Sequence, residues 1–82
     1  MADVIVDARG LSCPLPVLKA RRVLREMPYG GTAEVLSTDP ISVEDFPSFC
    51  RAAGHELLEA TQVDDAFRFV IKKGQELDPS RR

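Results

Sequence analysis

Pro14 and Pro16, two residues apart in Arg9-Gly10-Leu11-Ser12-Cys13-Pro14-Leu15-Pro16, constrain this chain more than any other feature. A proline ring fixes φ and removes an N–H. A helix therefore accommodates it best near the start, where the first N–H groups lack an intrahelical acceptor. Val17, Ala20, Leu24 and Met27, with Val23 alongside, recur at helical spacing after the two prolines. A helix is thus predicted from Pro14 to about Glu26, ended by Pro28-Tyr29-Gly30-Gly31. Upstream, Val4-Ile5-Val6-Asp7-Ala8-Arg9 is β-branched at its start and bounded by Gly10, which predicts a strand. Cys13 falls between the two elements, at or beside the N-cap of the helix.

The remaining elements are read in the same way. Ala33-Glu34-Val35-Leu36-Ser37-Thr38 is a second strand, with Ala33 and Val35 on one side and Leu36 on the other, stopped by Asp39-Pro40. Ile41-Ser42-Val43-Glu44 is ambiguous between loop and helical turn. A second helix is predicted to start at Asp45 as N-cap, with Pro47 in its first turn and Gly54 as its C′ residue. Phe46, Phe49, Cys50 and Ala53 share its apolar face. Glu56–Val63 and Phe67–Lys72 read as two strands joined by Asp64-Asp65 into an antiparallel hairpin, with Phe67, Phe69 and Ile71 facing the core.

The order is β-α-β-α-β-β. Each helix buries one face, so both are expected on one side of a four-stranded sheet, an α/β (α+β two-layer sandwich) class of fold. Ile5, Leu36 and Val70 are expected to line the other sheet face, as a thin solvent-facing surface or a dimer contact. Residues 1–73 form one domain and 74–82 a flexible tail.

The 82 residues carry a formal charge of −2, with no overall attraction to nucleic acid. The charge is uneven, however. Lys19, Arg21, Arg22 and Arg25 crowd the first helix, while Glu34, Asp39, Glu44, Asp45, Glu56, Glu59, Asp64 and Asp65 face only Arg51 across residues 31–66. Such polarity suits docking to a charged protein, although a solvated helix face accounts for it too. No apolar run approaches membrane-spanning length, and Met1-Ala2-Asp3 does not open a signal peptide. Two cysteines without an export signal point to free thiols in a reducing cytoplasm. Two cysteines and one histidine fall short of a structural zinc site, and no metal or other cofactor is expected.

Cys13 is the leading chemical candidate. Unpaired N–H groups and the positive end of the helix dipole favour a thiolate there, so a lowered pKa is expected, with Arg9 able to contribute. Asp7 and Arg9 are expected to pair with each other or with the helix cations and to hold the loop. Cys50 lies on an apolar face and reads as a core thiol. No Cys-x-x-Cys pair exists and spacing gives no support for a Cys13–Cys50 disulfide, so dithiol exchange lacks a resolving partner. His55 follows Gly54 without a carboxylate placed to orient it, which argues against Cys-His hydrolytic catalysis.

Asp7-x-Arg9-Gly10-x-x-Cys13-Pro14-x-Pro16 resembles the signature of the TusA/SirA/YedF sulfur-carrier family. Thr38-Asp39-Pro40, Asp45-Phe46-Pro47-x-Phe49-Cys50, Gly54-His55-Glu56-Leu57 and Phe69-x-Ile71-x-Lys73 extend the resemblance across about residues 4–73. The resemblance implies a four-stranded mixed sheet with both helices on one face, and a sulfurtransferase of the carrier type. It implies that Cys13 carries a transient persulfide, supported by Arg9, Gly10, Pro14 and Pro16. Sulfur would arrive from a donor protein (a cysteine desulfurase or rhodanese) and leave to an acceptor protein, toward tRNA 2-thiouridine, molybdenum-cofactor assembly or sulfur oxidation. Lys19, Arg21, Arg22 and Arg25 are the docking candidates; neither direct nucleic-acid binding nor membrane association is expected, and the chain is expected to be a monomer or weak dimer. Two other classes stay open: an interaction module that docks a partner through the basic helix, and a thiol redox sensor.

Overall fold

A computed structural model of the chain describes residues 3–74. It contains β1 (Val4–Ala8), α1 (Leu15–Arg25), β2 (Thr32–Ser37), α2 (Ser42–Ala53), β3 (Glu56–Val63) and β4 (Ala66–Lys72). The predicted order of elements is the observed one. The sheet order is β1-β2-β4-β3. β1 and β2 run parallel with Val6 opposite Val35, and β4 is antiparallel to both β2 and β3. The α+β class and the mixed sheet are as expected.

Side chains of the two helices and of one sheet face meet in a single core of Val6, Ala20, Leu24, Ala33, Val35, Phe46, Cys50, Phe69 and Ile71. Alternation along β2 and β4 makes this possible, because every second residue points to the helices. Phe46 and Phe69 stack at its centre with ring centroids 4.6 Å apart. The opposite face is polar at its middle. Arg68 pairs there with Glu34 at 3.3 Å and Glu59 at 2.7 Å, and Ile5 beside them is 64% exposed. Leu36 is half-buried on this face, whereas Val70 is buried.

α2 departs from the expectation. It starts at Ser42, three residues before Asp45, and Pro47 lies inside it rather than in its first turn. The start is set by the preceding loop. The Asp39 carboxylate accepts the Ile41 N–H at 3.1 Å, and the buried hydroxyls of Ser37 and Ser42 bond each other at 2.7 Å. Asp45 is thereby released from capping. Gly54 ends the helix with φ at 84°, a left-handed conformation that glycine adopts without steric cost.

Lys73 closes the far end of α1. It is 8% exposed, and its ammonium donates to the carbonyls of Arg25 at 3.2 Å and Met27 at 2.7 Å while lying over the Tyr29 ring. A cation on the last carbonyls of a helix satisfies orphan acceptors and complements the dipole. Lys73→Met is expected to leave those carbonyls short of donors and to cost about 1–3 kcal/mol, read as a loss of roughly 5–15 °C in Tm by thermal unfolding. Gly74, placed at the head of the expected tail, is instead held, its N–H donating to His55 Nδ1 at 3.1 Å. The rest of that tail, 75–82, lies outside the described residues.

Candidate functional site

Parallel pairing of β1 with β2 sets Ala8 beside Ser37, so the loops that leave the two strands emerge together. Ligand and reaction sites of parallel strands collect at such C-terminal ends. The β1–α1 loop turns at Gly10, whose φ is +83° and whose N–H donates to Thr38 Oγ1 at 2.9 Å. Cys13 N–H donates to Asp39 Oδ2 at 2.5 Å. Two residues that follow β2 therefore hold the Cys13 loop by its backbone.

Asp7 and Arg9 brace the same loop. The Arg9 guanidinium makes a two-point contact with the Asp7 carboxylate, at 2.9 and 3.0 Å. That bond and the Arg9 backbone N–H hold the Asp7 carboxyl well below the usual carboxylate range. Lys19 reaches back from α1 to donate to the Asp7 carbonyl at 2.6 Å. Lys19 is thus part of the loop's support. Arg21, Arg22 and Arg25 are exposed farther along α1, Arg25 at a point about 16 Å from Pro14 along the helix axis.

Pro14 occupies the N-cap position of α1, preceded by a cis Cys13–Pro14 peptide bond, and Pro16 is buried in the first turn. Cys13 is one residue outside the cap and exposed; its thiol is free. The Cys13 Sγ lies 3.0 Å from Asp45 Oδ2, with the S–H donating. This contact overturns the expected lowering of the Cys13 pKa. The thiol is pushed up instead, first by its hydrogen bond to Asp45, then by desolvation and by the negative charges of Asp45 and Asp39. The helix terminus has few N–H groups with which to offset them. Pro14 and Pro16 have no N–H to offer, and the Leu15 N–H is spent on the Ser12 carbonyl at 2.8 Å. Arg9 is turned to Asp7 and is not among the groups that shift the sulfur.

Cys50 is buried in the core, and burial pushes its thiol up to about 11. His55 is also buried, its ring tilted against Phe49 and its Nδ1 engaged by Gly74. Thr38, Asp39 and Asp45 are the site residues that local reading missed, because each had a local explanation as strand end, strand stop or helix cap. The signal that exposes them is topological: parallel β1 and β2 must bring Asp39 to the loop that leaves β1.

Comparisons with known proteins bear on the family and the fold. The family model described as Sulfurtransferase TusA matches residues 4–73. The chain is 45% identical over 71 residues to the sulfur carrier protein TusA of Allochromatium vinosum, covering 87% of this chain and 93% of that one. It is 41% identical over 71 residues to the sulfur carrier protein TusA of Pseudomonas putida, covering 87% and 89%. A crystal structure of a SirA-like protein from Desulfitobacterium hafniense superposes with a TM-score of 0.78 at 29% identity, covering 87% of this chain and 97% of that one. A family model matched over residues 4–73 and relatives 41–45% identical over most of both chains place the chain in the TusA sulfurtransferase family.

Proposed function

We propose that this protein is a sulfur carrier that accepts sulfane sulfur as a persulfide on Cys13 and passes it to an acceptor protein. The observation that carries this reading is the placement of Cys13: exposed and unpaired with Cys50, on a loop pinned by Gly10, Arg9 and Asp39. Cys50 is buried away from solvent, so a resolving thiol for dithiol chemistry is not at hand among the described residues.

In the loading step Cys13 Sγ attacks the outer sulfur of a donor persulfide, R–S–SH. A new Sγ–S bond forms as the donor S–S bond breaks, and the proton lost by Cys13 ends on the departing thiolate as R–SH. The product is Cys13–S–SH, with no net oxidation or reduction. An acceptor thiolate removes the outer sulfur by the same step in reverse sense. Pro14, Pro16 and Gly10 stiffen and aim the loop, and the exposed Arg21, Arg22 and Arg25 offer a docking face to a donor such as a cysteine desulfurase or rhodanese. The cytoplasm, where thiols stay reduced, is the compartment in which such a carrier works. No resident cofactor is required by these steps.

Intact-mass spectrometry of the full chain after incubation with a cysteine desulfurase and cysteine tests the reading. The expected gain is about 32 Da per sulfur atom, reversed by a reductant and mapped to the peptide holding Cys13. A chain that gains no mass from a charged donor, or gains it on Cys50, overturns it.

A further inference from the structure

The sulfur is surrounded by negative charge. Asp45 Oδ2 on α2 receives the S–H bond at 3.0 Å, and Asp39 Oδ2, from the loop after β2, receives the Cys13 N–H at 2.5 Å. The cations on neighbouring elements are committed elsewhere: Arg9 to the Asp7 carboxylate, and Lys19 to the Asp7 carbonyl. The first turn of α1 contributes few N–H groups, for the reason given above. A bare site of this kind holds its proton on sulfur and disfavours any anion placed there, whether thiolate or persulfide.

We propose that Asp45 and Asp39 form a charge filter at the sulfur. Asp45 is a catalytic residue that keeps the proton on Cys13, and a protein that exchanges sulfur here must bring a lysine or arginine to the two carboxylates. The incoming cation neutralises Asp45, the S–H bond is released, and the sulfur becomes free to attack. Before docking, the protonated thiol reacts slowly with stray electrophiles. After loading, an outer sulfur that ionises beside the same carboxylates is held loosely and is ready to move on. The charge left at the site after each step is unchanged, since the proton displaced from Cys13 leaves with the departing thiolate.

The proposal rests on Cys13 as the sulfur-accepting residue, but its test requires no persulfide. The full chain is labelled with two methanethiosulfonate reagents, one carrying a cationic aminoethyl group and one an anionic sulfonatoethyl group, and labelling is followed by intact mass. The cationic reagent is expected to be favoured several-fold more than it is with an uncharged cysteine derivative. Asp45→Asn and Asp39→Asn are each expected to reduce that preference by about two- to threefold, the cationic reagent slowed and the anionic one sped by the loss of one unit charge. In the unsubstituted chain the preference is expected to collapse as salt rises from about 0.01 M to about 1 M, a result independent of any variant's folding. With neutral iodoacetamide, Asp45→Asn is expected to move the midpoint of the Cys13 pH profile down and to raise the rate near neutrality several-fold. A wild-type preference equal to that of the free thiol overturns the filter, as does one that survives both substitutions or high salt. Either failure leaves sulfur carriage standing, whereas a preserved preference without the persulfide mass gain rejects carriage and keeps the filter.

Discussion

Cys13→Ser is expected to abolish sulfur uptake while changing Tm by no more than a few degrees. A hydroxyl cannot form a persulfide, so the mass gain falls to background and does not merely slow. The fold has little reason to respond, because Cys13 is exposed and its backbone N–H bond to Asp39 does not involve the side chain. A serine O–H can also donate to Asp45 in place of the thiol. Cys50 offers no substitute route, since burial removes it from partners and holds its thiol protonated, with a pKa of about 11. Intact mass and thermal unfolding of the same sample check both halves of this expectation. Uptake that persists in Cys13→Ser places the chemistry elsewhere.

The largest effect on stability is expected at the aromatic pair in the core. Phe46 and Phe69 are 0% and 1% exposed and stack at 4.6 Å, joining α2 to the central strand β4. Truncating either to alanine removes a fully buried ring and opens a cavity, at a cost of about 3–5 kcal/mol. A domain of this size has roughly 4–12 kcal/mol in total. Each variant is therefore expected to lose at least about 15 °C in Tm, and the less stable outcome is a chain that does not fold at 37 °C, about human body temperature. Urea unfolding followed by circular dichroism measures the loss. The double variant is expected to lose less than the sum of the two, because the ring–ring contact is counted in both. Phe46 also directly follows Asp45 in α2, so Phe46→Ala is expected to disturb the Cys13 contact more than Phe69→Ala does.

Local chemistry made most of the fold readable from the chain. Pro14 and Pro16 are tied to a helix start by covalent geometry, Gly54 to a helix end by its left-handed φ, and alternation in β2 to a two-faced strand. None of these depends on a distant residue. The start of α2 does depend on one. The Ser37–Ser42 hydroxyl pair and the Asp39 side chain fix it, and no periodic pattern in Ile41-Ser42-Val43-Glu44 announces them. Asp45 consequently looked like a cap.

The acidity of Cys13 failed for the same reason. The helix terminus is visible next to the cysteine, whereas the opposing carboxylates lie 26 and 32 positions away in the chain and arrive only through strand pairing. The prolines that revealed the helix start also withdrew the N–H groups on which the expectation of a thiolate relied. The identity of the reactive residue was legible; the sign of its electrostatic environment was not.

The strand order has a consequence for a shortened chain. Among the described strands β4 comes latest in the chain, yet it lies in the interior of the sheet between β2 and β3. Without it, β2 keeps an unpaired edge, β3 has no partner, and the carbonyls of Arg25 and Met27 at the end of α1 lack the Lys73 ammonium. An open strand edge of that kind is a template for pairing with another chain. A chain cut within the β3–β4 hairpin is therefore expected to aggregate rather than fold, because one missing strand leaves two others unpaired.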